Sequence, residues 1–266
     1  MDNYVISTLN NLDLMYYGSG KRYFCLANFY IKYPNYRQFF LNLRKDLDNF
    51  ITLDNGCAEH DLVTEQVLID VVNELQPNEV IPPDILFDKD KTLESFYSFI
   101  NKVSNVDIFA CPQGNCLEDW VECYKQMKDN LQTKVLGISK LAVPVCFGNM
   151  QKYEQDKEIE KSRNLCVDYL SDNGLIDKPL HFLGMGDPLE FCHYQNYKFD
   201  NARQMFRSTD SCYTVLAAYN YIQFQANKNP RIKTTEQFYK QTLNDKQIQL
   251  AKYNIKFLQS ILNKIN

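Results

Sequence analysis

The sequence predicts an α/β fold, a (β/α)8 TIM-like barrel, on three observations. Short apolar runs alternate with amphipathic segments of helical length, seven or eight times within about 220 residues. No G-x-G-x-x-G follows the first run, which counts against an open dinucleotide-binding sheet. The 266 residues are 45% apolar and 14% aromatic, enough for one full core.

The elements read off in order. RYFCLANF (22–29) is the first strand-like run, and the apolar residues of YRQFFLNLRKDLDNF after it have near-helical spacing. FITLD (50–54) precedes a helix with Leu62, Val63, Val67, Leu68 and Val71 on one face. EVIPPDIL (79–86) leads into KTLESFYSFINKV, VDIFACPQG (106–114) into LEDWVECYKQMKDNL, and KVLGIS (134–139) into LAVPVCF. EKSRNLCVDYLSDNGL reads as a helix closed by Gly174. PLHFLGMG (179–186) precedes PLEFCHYQNY, and MFRSTDS (205–211) precedes CYTVLAAYNYIQFQ. One or two helices run from Thr234 onward. No linker, repeat or low-complexity stretch divides the chain. The expectation is a single domain over 1–266, with the barrel over about 1–227 and a basic helical C-terminal extension over 228–266.

Composition bounds the function. No apolar run reaches about 18 residues and no signal-peptide pattern opens the sequence, so a soluble cytoplasmic protein without a membrane partner is expected. Nine dispersed cysteines without a C-x-x-C suit a reducing compartment. The three histidines, His60, His181 and His193, are scattered, so neither a structural zinc nor another metal is expected. Residues 228–266 hold eight basic side chains against two acidic ones, leaving −10 on residues 1–227 of a chain with net charge −4. That basic segment reads either as a solvated helix face or as an edge that meets a polyanion.

The candidate chemistry lies just past the apolar runs: Asp54, Asp84, Gln113, Ser139, Lys140, the glycines at 184 and 186, and Asp210. In a parallel barrel the C-terminal strand ends share one face, and active sites are built there. One such Asp is usually an N-cap or Asx-turn. Three on separate strands suggest a pocket, with a carboxylate Mg²⁺ site as the alternative. Clustered carboxylates split their pKa values, giving one ionised nucleophile and one partner for proton transfer, as in retaining glycosidases.

Six segments in order carry a resemblance over about residues 50–218. Asp54-Asn-Gly-Cys-Ala-Glu59 is similar to the D-S-G-G-F-Q motif of tRNA-guanine transglycosylases. Asp84-Ile85 with Thr92 resembles that family's base-reading aspartate, and Phe109-Ala-Cys-Pro-Gln-Gly114 resembles F-G-I-V-Q-G. Ile138-Ser-Lys-Leu-Ala-Val143 is similar to I-G-G-L-A-V, and Leu183-Gly-Met-Gly-Asp-Pro188 to M-G-V-G-T-P. Asp210-Ser-Cys-Tyr resembles the archaeal F-D-S-A-S-Y segment. Three departures stand out: no C-x-C-x-x-C zinc subdomain follows, Ser139 and Lys140 replace two glycines, and Ala58-Glu59 replaces F-Q. These departures resemble the phage-encoded branch that exchanges guanine in DNA for a 7-deazaguanine.

The resemblance implies a base-exchange transglycosylase, a pentosyltransferase without a cofactor. Its partners would be DNA, with tRNA the lesser reading, and a 7-deazaguanine such as preQ0, in the cytoplasm (a host's, if phage-encoded). It implies Asp210 as nucleophile and Asp54 as the base for the N9 proton. Asp84, Gln113, Gly114, Ser139 and Lys140 would contact the purine, and Arg203 and Arg207 the flanking phosphates. Lys140 reads equally as a solvated rim residue, and Arg203 and Arg207 equally as partners of an acidic helix. Glu59 and His60 read as supports for Asp54 or as the start of a helix, and Phe87 and Tyr213 as stacking partners. A homodimer or a partner protein fits the resemblance. The rivals are a tRNA enzyme of reduced size and a non-catalytic accessory barrel.

Overall fold

Eight strands run parallel in the computed structural model, which describes residues 1–57, 62–151, 158–185, 187–197, 205–227, 229–230, 232 and 234–265. They are β1 (Asp2–Val5), β2 (Arg22–Leu26), β3 (Phe50–Asp54), β4 (Glu79–Val80), β5 (Asp107–Ala110), β6 (Thr133–Ser139), β7 (Leu180–Leu183) and β8 (Phe206–Ser211). The order β1-β8-β7-β6-β5-β4-β3-β2 is that of a (β/α)8 barrel opened between β1 and β2. At that seam the two strands still touch. Arg22 Nε stands 2.9 Å from Asp2 Oδ2, and Ser19 N–H donates to Asn3 O at 2.9 Å. The barrel is nearly closed.

Helices separate most of the strands: α1 (Ala27–Lys32), α2 (Pro34–Arg44), α3 (Glu65–Leu75), α4 (Lys89–Ile100), α5 (Leu117–Asp129), α6 (Ala142–Phe147), α7 (Ile159–Asp172) and α8 (Tyr213–Tyr219). Their starts follow local chemistry. Thr64 Oγ1 accepts from Val67 N–H ahead of α3, and Asp88 caps α4 through Lys91 N–H. α3 buries Leu68, Ile69, Val71, Val72 and Leu75 at helical spacing against the sheet. Gly174 takes the expected left-handed conformation just past α7, at φ +63°.

Three boundaries differ from expectation. RYFCLANF is strand only to Leu26, after which α1 begins at once. EVIPPDIL pairs only at Glu79 and Val80, because Pro82 and Pro83 have no N–H to give a ladder. β1 lies outside every apolar run read above, and a 3-10 turn over Leu12–Tyr17 stands in for its helix.

The C-terminal segment is part of the barrel wall. α9 (Glu236–Tyr239) precedes α10 (Asp245–Leu262), which opens on a capping box between Asn244 and Gln247 and packs on α8 and β1. Buried Asn254 ties it down, accepting from Phe224 N–H at 2.9 Å and donating to Ile222 O at 3.0 Å. Among the described residues no helix is long and apolar enough to cross a membrane. All nine cysteines are free thiols.

Candidate active site at the barrel mouth

Each parallel strand delivers its last residues to one end, and there a cavity of about 570 Å³ opens. That volume suits a small ligand. Asp54, Asp84, Gln113, Ser139, Lys140 and Asp210 all line it, with Gly184. Asp54, Asp84 and Asp210 are only 9, 3 and 6% exposed, so their carboxyls are largely desolvated. The strand-end reading brings these residues together as expected.

Asp54 ends β3 and also shapes the turn: its Oδ2 accepts from Gly56 N–H at 3.0 Å, and Gly56 sits at φ +83°. Only glycine takes that conformation without strain. Its neighbour Asn55 reaches across to Asp84, donating to Oδ1 at 2.7 Å and to Pro82 O at 2.7 Å. Gln113 Nε2 donates to the other Asp84 oxygen, and Gln113 Oε1 accepts from Phe87 N–H at 3.3 Å. Asp84 is thus clamped by two amides. Burial pushes its pKa above the ordinary 3.8, while the hydrogen bonds from Asn55 and Gln113 pull it back. Phe87, which completes this clamp, holds a left-handed φ of +64°, a strained conformation for an aromatic residue.

Asp210 is held differently. Its Oδ1 accepts from Gly184 N–H at 3.0 Å and faces His181 Nε2 at 3.0 Å. Among the described residues nothing donates to Oδ2. Gly184 has φ +65°, and a Cβ there would stand 2.5 Å from Lys140 Cδ and 2.9 Å from its Nζ. The Lys140 chain therefore lies across Gly184, half-buried in the cavity wall. Among the described residues its ammonium has no carboxylate within ion-pair distance. Ser139 Oγ accepts from Leu141 N–H at 3.0 Å, which leaves its own proton available to a ligand.

Other expectations are corrected. Arg207 does not reach the mouth. It sits near the start of β8, and its two Nη atoms donate to Glu79 at 2.7 Å each, inside the barrel. A guanidinium committed to a buried carboxylate at the opposite end cannot clamp a phosphate here. Gly114 does not line the cavity: a Cβ there would stand 2.5 Å from Trp120 N, so its role is close packing under α5. Gln113 stays in the cavity wall, with its amide also held against Asp84. Phe87 and Tyr213 are buried outside the cavity, whose aromatic lining is Phe24, Phe29 and Tyr239. Arg203, Glu59 and His60 lie outside the described residues.

Residue reading missed His181 and Asn55. The signal for His181 was a polar residue inside the apolar run LHFL, and for Asn55 its place beside a strand-end Asp. Cys25 and Cys111, near the carboxylates, are held in the thiol form. Burial first, then the charges of Asp54 on Cys25 and chiefly of Asp84 on Cys111, raise both thiols well above their ordinary range. Among the described residues no group of three His, Cys, Asp or Glu is arranged to hold a metal ion.

No family model matches the chain, and no curated protein matches it. A solved structure of a monomeric dihydrodipicolinate synthase variant is similar over 98% of this chain and 95% of its own, at 9% identity and a TM-score of 0.37. So distant a likeness says nothing about chemistry.

Proposed function

We propose that the protein is a base-exchange transglycosylase that replaces guanine in DNA with a 7-deazaguanine such as preQ0. The observation that supports this most is the convergence of Asp54, Asp84 and Asp210 on one cavity of about 570 Å³, with one oxygen of Asp210 unoccupied by any described donor. In this reading the target nucleotide is flipped into the mouth, since its C1′ is unreachable within a duplex.

Asp84, its position fixed by Asn55 and Gln113, accepts from the purine N1–H and 2-amino group. Ser139 offers a hydroxyl donor to O6, beside the Gln113 amide, which also holds Asp84. Asp210 Oδ2 forms a bond to C1′ while the electron pair of the C1′–N9 bond leaves with guanine, whose N9 takes a proton from Asp54. The incoming base returns an N9 proton to Asp54. Its N9 pair then displaces Oδ2 from C1′, restoring the carboxylate. The exchange balances without redox chemistry.

The test offers labelled guanine and labelled preQ0 to duplex DNA, single strands and tRNA. Label is expected in DNA, and Asp210→Asn should form no covalent protein–DNA species and lower exchange by at least about a thousandfold. Incorporation into tRNA alone would replace DNA as the substrate. Free base released without exchange would mean a hydrolase, and no turnover on any of these would favour the accessory barrel.

A further inference from the structure

Below the cavity floor the barrel interior holds a line of polar side chains. Glu79, buried at the start of β4, accepts from Thr52 Oγ1 at 2.6 Å and from both Nη atoms of Arg207. Arg207 Nε donates to Ser208 Oγ at 3.1 Å. Ser208 Oγ lies 2.7 Å from His181 Nδ1, and His181 Nε2 lies 3.0 Å from Asp210 Oδ1. The line runs from the closed end of the barrel to the mouth. Its last member is the carboxylate to which the exchange reading gives the covalent bond.

The two ends of the line decide where its protons are. A guanidinium only donates, and an ionised carboxylate only accepts. His181 Nε2 must therefore carry a hydrogen toward Asp210. In a neutral imidazole that leaves Nδ1 with a lone pair, which takes the proton of Ser208. Ser208 in turn accepts from Arg207. From Arg207 Nε onward every hydrogen bond then points toward Asp210. Burial lowers the pKa of His181 against the pull of Asp210, which favours the neutral ring. The charged or titratable groups facing it are Asp210, Arg207, Glu79 and Tyr4. Its plane is fixed by Phe24, stacked at 5.8 Å and 15°, and by Phe109 at 5.0 Å.

We propose that His181 is the positioning residue of the Asp210 nucleophile, donating from Nε2 to Oδ1 so that Oδ2 alone is presented to the sugar. This inference rests on the exchange reading of the site. With Gly184 N–H as second donor, Oδ1 is fixed in both halves of the reaction. As the ester forms, Oδ1 becomes its carbonyl oxygen and keeps both hydrogen bonds. As the new base displaces Oδ2, the charge returning to the carboxylate spreads onto Oδ1 where those donors already stand. His181 neither gains nor loses a proton, and it touches no substrate atom.

Two variants and one spectrum test this. His181→Phe fills the aromatic box without a donor, whereas His181→Gln keeps an N–H near the place of Nε2. His181→Phe is expected to lower kcat about 10- to 100-fold with KM within about twofold, and His181→Gln to recover most of that loss. Full kcat in His181→Phe, or equal losses in both variants, would overturn the proposal. Nitrogen-15 NMR of the imidazole gives a readout independent of turnover. A neutral ring protonated at Nε2 is expected near pH 7, and Ser208→Ala should leave that tautomer in place because Asp210 still accepts from Nε2. A ring protonated at Nδ1, or charged near pH 7, would overturn the assignment even if exchange is observed. An Nε2–H ring in a protein that exchanges no base would sink the exchange reading and leave the hydrogen bond to Asp210 standing.

Discussion

Asp84 is a carboxylate held in place by amides, and this sets its behaviour with pH. Its ordinary value of 3.8 is raised in the fold by burial. The unfolded chain loses the proton near 3.8 and the folded one at higher pH. Asp84's contribution to stability is therefore whole below 3.8 and is lost as pH rises through the raised value. Asp84→Asn removes this titration. Between about pH 7 and about pH 4, thermal unfolding of the wild type should shift upward relative to the variant; parallel curves would mean that Asp84 titrates like an exposed acid. What made Asp54, Asp84 and Asp210 legible in the sequence is that each follows an apolar run on a different unit, a pattern that needs only chain order. Arg207 was misplaced because nearness to Asp210 in the sequence is not nearness to the mouth: β8 runs from Phe206 and puts Arg207 at its start. It stands three residues before Asp210 and yet belongs to the other end, beside Glu79. His181 was passed over because its partners, Ser208 and Asp210, come from the neighbouring strand, and only the register of β7 against β8 brings them together.

Among the elements, α7 supports the site without lining it. Arg163 on α7 is fully buried, paired with Glu190 through contacts of 2.6 and 2.9 Å. Its Nη1 also donates to Leu183 O at 3.2 Å and Gly184 O at 2.8 Å, fixing the loop whose N–H holds Asp210. Arg163→Met would leave Glu190 buried and unpaired. Unfolding in urea is expected to lose about 3–5 kcal/mol of stability, of which a second change, Glu190→Gln, should recover a part. A loss below about 1 kcal/mol would mean that water or another group reaches Glu190. Nothing in the sequence joined Arg163 to Glu190, since the pair spans a strand and a loop. β1 was equally hidden: four residues followed by a 3-10 turn give neither a long apolar run nor a helical period. The long amphipathic helices α3 and α5 were legible for the opposite reason, since their burial repeats over three turns.

At the scale of the whole molecule, the barrel fixes where the basic side chains lie relative to the mouth. α10 begins beside the mouth, where Asn10 Nδ2 donates to Thr242 Oγ1 at 2.9 Å and Leu9 N–H donates to Tyr239 O at 2.8 Å. It ends at the other face, where Gln259 bonds Ser19 next to the start of β1. Its later lysines, Lys252 and Lys256, therefore lie along the flank, with Lys252 over the ring of Tyr17 at 4.6 Å. Lys140 is in the cavity wall itself. If DNA approaches the mouth, a phosphate neutralised by Lys140 releases a counterion that the flank lysines do not. Each such contact contributes about 0.9 to the slope of log affinity against log salt. Lys140→Gln is thus expected to weaken duplex binding and to flatten that slope by about one, while the double change Lys252→Gln with Lys256→Gln leaves it unchanged. Affinity measured across a series of KCl concentrations decides the matter. A slope flattened by the flank pair and untouched by Lys140→Gln would move the nucleic-acid footprint off the mouth and onto α10.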